Sequence, residues 1–166
     1  MKKILFVCIV LFITSVACKK ENIGGGGLCA CSPITGPQLN LVIKNIAGND
    51  LLSDKTVGYY SKDKIQLFRK DENGKVIPID FAIRPPFSYG DEKFIYSSLF
   101  AAANIFLQRD SNNIIYLKLG ESKIYELSLS LNQQKYDVDK LLIDNKEAEK
   151  AQGNVVKYVT IFYLTD

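Results

Sequence analysis

The 166-residue chain contains no histidine, no tryptophan and a single methionine. Without histidine it lacks the commonest general acid–base group and the commonest protein metal ligand, which excludes every catalytic triad that turns on an imidazole. No Gly-x-Ser-x-Gly stretch occurs, so no nucleophile elbow is written into the chain. One sign of charge does not dominate: 21 basic residues stand against 18 acidic ones, interspersed rather than blocked. Such charges read as solvated faces and leave no electrostatic footprint for nucleic acid. An apolar run of the ~20 residues needed for a membrane-spanning helix is also missing.

What is present begins at the N-terminus. Lys2 and Lys3 precede a 13-residue apolar run over 4–16, and small residues lead into Cys18. A basic start, a short apolar run and a small-residue cleavage site predict a signal peptide over residues 1–17. Cys8 lies inside it as one more small hydrophobe. Ser15-Val16-Ala17 would suit an ordinary signal peptidase. Ending in Ala17-Cys18, the same residues also resemble the lipobox of bacterial lipoproteins, with Ser15 where leucine is usual. That resemblance implies a diacylglyceryl group on the Cys18 thiol.

Cysteine arithmetic bears on the choice. The chain has four cysteines. A lipidated Cys18 leaves Cys29 and Cys31 as an even pair, whereas plain secretion leaves three thiols in a disulfide-permissive compartment. The expectation is therefore a membrane anchor through lipid on Cys18, with plain secretion as the alternative. Residues 18–36 are polar and glycine-rich, and read as a flexible tether. Within it, Cys29-Ala30-Cys31 is a disulfide candidate, local or with a partner. Unpaired thiols, or a metal or redox role, stay open, although a metal would need about four ligands and none is close by.

Setting Lys2 and Lys3 aside from the 21 basic residues leaves 19 against 18 acidic, a mature charge near +1. Nine tyrosines and nine phenylalanines, with many β-branched residues, favour strands. Residues 38–45 alternate as a first strand with Leu39, Leu41 and Ile43 on one face, and 47–50 supply turn residues. Strand two is 64–70, and Asp71-Glu72-Asn73-Gly74 is a hairpin signal because Asn-Gly accepts positive φ. Strand three runs over 76–83, where Pro78 marks an edge or bulge. Residues 84–92 read as a loop. Two short strands or one bent strand are expected over 94–108, and another over 113–119. The cleanest alternation follows, with Tyr125, Leu127, Leu129 and Leu131 against Glu126, Ser128 and Ser130. Residues 136–143 make a further strand, and 144–152 a helical turn or mobile loop. A final strand over 155–164, apolar on both faces, is placed centrally in a sheet. Together these predict a single all-β domain over 37–166. Its expected form is an antiparallel β-sandwich of seven to eight strands, with immunoglobulin- or transthyretin-like architecture.

Candidate chemistry is sparse. Asp137 and Asp139 place two carboxylates on one face of a strand, a pattern that paired-carboxylate hydrolysis uses and that solvated edge strands share. Asn49-Asp50 with Asp54 offers oxygen ligands, or an Asx turn on its own backbone. Arg84, Phe87 and Tyr89 form a candidate partner-binding loop, which hydrophobic plugs at the end of a sandwich would match equally. No residue set points to a catalytic centre, a metal site or a cofactor.

Cys31-Ser32-Pro33-Ile34 and the stretch 39–52, with its Gly48-Asn49-Asp50-Leu51-Leu52 segment, resemble small Bacteroidetes-type envelope lipoproteins. Asp71-Glu72-Asn73-Gly74 and the Asp-x-Asp at 137–139 are similar to later features of that family. The resemblance is specific over 39–52 and implies a β-sandwich lipid-anchored at the outer membrane or cell surface, with the periplasmic face or secretion as alternatives. The expected function is non-enzymatic binding of a protein or glycan partner. The alternatives are an inhibitor or hydrolase accessory using Asp137 and Asp139, and a structural subunit assembling through an edge strand.

Overall fold

The computed structural model describes residues 37–102, 113–121, 123–132 and 137–166. The expected signal peptide and tether, all four cysteines and the stretch 103–108 of the expected bent strand lie outside these residues. The described part is all-β, with two sheets sharing one core as a sandwich.

The first sheet holds four strands in the order β12-β1-β7-β4. They are Phe162–Thr165 (β12), Gln38–Lys44 (β1), Ser98–Ala102 (β7) and Ala82–Arg84 (β4). Its neighbours pair antiparallel except β1 and β12, which run parallel with Leu41 opposite Phe162. The second sheet is antiparallel throughout, in the order β11-β10-β9-β8-β2-β3. It comprises Lys146–Glu147 (β11), Asp137–Ile143 (β10), Lys123–Asn132 (β9), Ile114–Leu119 (β8), Ile65–Lys70 (β2) and Val76–Pro78 (β3). A separate hairpin pairs Phe87–Tyr89 (β5) with Glu92–Phe94 (β6). The described residues thus contain twelve strands, ten of them in the two sheets, where seven to eight were expected. Nothing in their order establishes an immunoglobulin- or transthyretin-like topology.

The alternation of β9 does what a half-buried strand requires: Tyr125, Leu127 and Leu129 are buried, while Glu126, Ser128 and Ser130 face outward. They meet Leu39, Leu41 and Ile43 from β1 in the main core. β1 is buried on its other face as well. Val42 there joins Phe94, Val156 and Ile161 in a second cluster, and Phe87, Val155 and Val159 pack against it. Asn40 is 3% exposed on this strand, and its Nδ2 donates to Thr160 O at 3.2 Å, which satisfies a group that burial would otherwise penalise.

That outer layer corrects three expectations. Residues 84–92 hold β5 and the start of β6, because Phe87 has Phe94 to pack on at 5.3 Å between ring centroids. Only Phe162–Thr165 of the stretch 155–164 is strand, and β12 lies at the end of its sheet's order. The preceding apolar residues are buried by covering β1 rather than by central pairing. Strand 76–83 is split: Val76–Pro78 pairs with β2 in one sheet and Ala82–Arg84 with β7 in the other.

Residues 144–152 hold a tight turn, not a helix. Asp144 and Asn145 both take positive φ, at 48° and 65°, and join β10 to β11 as a hairpin. The hairpin at Asp71-Glu72-Asn73-Gly74 forms as the sequence indicated, with Gly74 at φ 77° and the Asp71 carboxylate accepting from the Asn73 and Lys75 amides.

Candidate functional site

β1 runs from Gln38 at one end of the sandwich to Lys44 at the other. The far end gathers the connection 51–61, the β8–β9 turn and the last residue of the chain. Asp50 shapes the start of the connection: its Oδ1 accepts from the Leu52 amide in an Asx turn, and its Oδ2 from the Ser97 amide at 2.7 Å. Leu51 N–H donates to Ile43 O, and Tyr60 N–H returns to Leu51 O, both at 2.8 Å. The connection is therefore a closed loop laid across the end of the core.

Two clefts flank it, and both are lined by Tyr59 and Tyr60. The first has a volume of about 630 Å³ and an apolar wall of Leu52, Ile83, Pro85, Pro86 and Ile95. Ser53, Asp54, Lys55, Ser61, Lys62 and Ser97 supply its polar groups. Ile95 is 68% exposed and Tyr59 39%, so apolar surface here is open to solvent. The second, of about 740 Å³, is polar, with Asp63, Lys64, Lys118 and Glu121 around the two tyrosines.

Beside them lies a cluster of ionisable side chains. Asp166 Oδ2 accepts from the Tyr60 hydroxyl at 2.8 Å. Its Oδ1 accepts from the Tyr125 hydroxyl and from Lys123 Nζ, the latter at 2.6 Å. Burial alone would raise the Asp166 carboxyl, but the bonds from Lys123, Tyr125 and Tyr60 outweigh it and hold it below its ordinary value. Burial, then the bond to Asp166, pushes Tyr125 up to about 12, and the same causes raise Tyr60. The Asp166 hydrogen bond, then that of Tyr125, raises Lys123 too. Both tyrosines thus stay protonated donors at neutral pH, and none of the four groups is poised as a base near neutrality. The cluster is built to hold, not to transfer protons.

Of the residues singled out from the sequence, Asp50 and Asp54 lie at this end, Asp54 in the lining of the first cleft, whereas Arg84, Phe87, Tyr89, Asp137 and Asp139 fall outside the clefts. The Arg84 guanidinium stacks 3.4 Å from the centre of the Phe100 ring. Phe87 is half-buried in the outer layer, and Tyr89 is 52% exposed with its ring edge-to-face with Tyr158 at 5.6 Å. Neither lines the two clefts, although Pro85 and Pro86 between Arg84 and Phe87 do. Asp137 and Asp139 are not a matched pair. A β-bulge between Val138 and Lys140 breaks the alternation, so Val138 and Leu141 both turn into the core. Asp137 accepts from the Thr160 hydroxyl and the Val138 amide, while Asp139 lies 3.7 Å from Lys150 Nζ. Among the described residues no group of three or more Cys, Asp or Glu side chains is placed to hold a metal ion.

Sequence reading missed Tyr59, Tyr60 and Asp166. The adjacent tyrosines after Gly58 were the available signal. Nothing in sequence marks Asp166. It also passed over Ser61-Lys62-Asp63-Lys64, which has Ser-x-x-Lys spacing. In the fold Ser61 is bonded to Asp63 and holds that carboxyl below its usual range. Ser61 and Lys64 line different clefts, which gives this spacing no catalytic geometry. No protein-family model matches the chain, and neither a curated protein nor a solved structure matches it.

Proposed function

We propose that the chain is a non-enzymatic envelope lipoprotein, anchored through Cys18, whose sandwich binds a protein or glycan partner at the end bearing Tyr59 and Tyr60. One observation carries the reading: exposed apolar side chains line a cleft at the end of β1 opposite Gln38, where the chain comes in from the tether. A module tethered at one end and adhesive at the other can engage a partner while the lipid stays in the membrane. The Asp166 cluster supports a binding role, because it fixes side chains without offering a base. The partnered state of Asp137 and Asp139 gives the accessory-hydrolase alternative no support.

The test uses intact cells and a lysine-reactive crosslinker. The adduct formed by the wild type disappears on Ile95→Asp, which places a charge in the apolar wall, and survives Tyr89→Ala. An adduct that persists in Ile95→Asp contradicts binding at this end, and one lost only in Tyr89→Ala moves the site to the outer layer.

A further inference from the structure

We infer that Asp166 is a positioning residue whose carboxylate latches the connection 51–61 across the end of the sandwich, fixing the wall between the two clefts. Its two oxygens divide the task. Oδ1 faces β9 and takes Tyr125 and Lys123, whereas Oδ2 takes Tyr60 from the connection. The residue is itself seated by backbone, since its N–H donates to Lys44 O at 2.8 Å directly after β12. One residue thus joins both sheets to the loop that crosses them, the first sheet through its backbone and the second through its carboxylate.

Tyr60 is the part that moves if the latch fails. It lines both clefts, and its ring packs beside the β8–β9 turn, where a Cβ on Gly120 would lie 3.5 Å from Cε1. Its amide bond to Leu51 closes the connection at the base and its hydroxyl bond to Asp166 closes it at the tip. Losing the hydroxyl bond leaves the ring free to swing and joins two clefts that differ in polarity. A charge-assisted bond to a tyrosine hydroxyl is stronger than a neutral one, which suits a fixed wall. A latch of this kind cuts the ordering cost of any ligand that uses Tyr59 or Tyr60.

The consequence for binding rests on the function proposed above, but the latch is read without a ligand. Amide hydrogen exchange is measured by mass spectrometry on the full chain in detergent. Tyr60→Phe raises exchange of a peptide spanning 51–61 at least tenfold while peptides from β8 and β9 keep their wild-type rates, and Asp166→Asn raises 51–61 at least tenfold more than it raises β8 and β9. Tyr125→Phe, which leaves Oδ2 and Tyr60 intact, leaves 51–61 at the wild-type rate. Unchanged exchange of 51–61 in the first two variants overturns the latch, as does an equal rise in Tyr125→Phe or a rise in Tyr60→Phe that is equal throughout the chain. If Asp166→Asn fails to fold, Tyr60→Phe decides, since the carboxylate keeps its other partners. A failed latch with Ile95→Asp still abolishing the crosslinked adduct would leave the binding reading standing.

Discussion

Where β1 begins, Thr160 joins Asp137 of β10 to Asn40 of β1: its hydroxyl donates to the carboxylate and its carbonyl accepts from the amide. Where β1 finishes, Asp166 joins Lys123 and Tyr125 of β9 to Tyr60 of the connection. Each end is tied by one aspartate, but the surroundings differ. The first tie sits beside the start of β1, the first strand of the described residues. The second is flanked by two clefts and by Ile95, with Ile46 and Val57 more than 90% exposed on the adjoining turns. Among the described residues, the same chemistry joins β10 to β1 at one end and stands beside two clefts at the other. A hydrogen-bonded carboxylate becomes informative about function only when what it positions is open to solvent.

Substitutions sharpen this comparison in a definite order. Phe162 is wholly buried in the core that both ends share, so Phe162→Ala costs about 3–5 kcal/mol and weakens both together, measured by urea denaturation. Asp166→Asn follows at about 1–3 kcal/mol, because three donors lose a charged acceptor. Asp137→Asn costs less, about 0.5–1.5 kcal/mol, with its effect confined to the end near Thr160. Equal effects of the two aspartate variants on exchange of the connection 51–61 would erase the distinction between the ends. Tyr89→Ala stays within about 0.5 kcal/mol of wild type, since that ring touches only the outer layer's surface.

Acid provides an independent handle. The Asp166 carboxyl is held below its ordinary value in the folded chain, so the unfolded chain binds the proton first. Its stabilisation is complete above the unfolded value of about 4 and is lost as pH falls through the lower folded value. Between pH 7 and 5 the wild type keeps its margin over Asp166→Asn. Below about pH 4 the two denaturation curves converge. A margin that shrinks already near neutrality would show that the carboxylate is not held as the geometry requires.

Much of the second sheet was legible because four of its five neighbour pairs, all but β2 with β8, are close in sequence and are joined by short connections. Tyr125, Leu127 and Leu129 alternate with polar residues, and Asn73-Gly74 announces the β2–β3 turn. The first sheet was harder. It draws on β1, β7 and β12, and the partners Leu41 and Phe162 are brought together only by the completed fold. An apolar stretch such as 155–164 reads identically whether it is a central strand or a layer covering one. The split of 76–83 between two sheets has no periodic signature, since Ile79 still donates to Leu67 O before the chain crosses over. Asp144-Asn145 was an overlooked local signal for backbone structure, because two residues that tolerate positive φ mark a tight hairpin. The clefts were illegible for a different reason: Tyr59, Pro85 and Ile95 come from three separate segments, and no spacing links them.

The division of labour between the ends is tested most directly by photocrosslinking in living cells, with a photoreactive residue placed at Tyr59 in one strain and at Val76 in another. Val76 is 55% exposed at the start of β3, by the end where β1 begins, and so serves as an equally accessible control. The account predicts a discrete adduct from position 59, lost when Ile95→Asp is added, and none from position 76. An adduct from position 76 with none from 59 would contradict it and transfer the binding surface to the end where β1 begins.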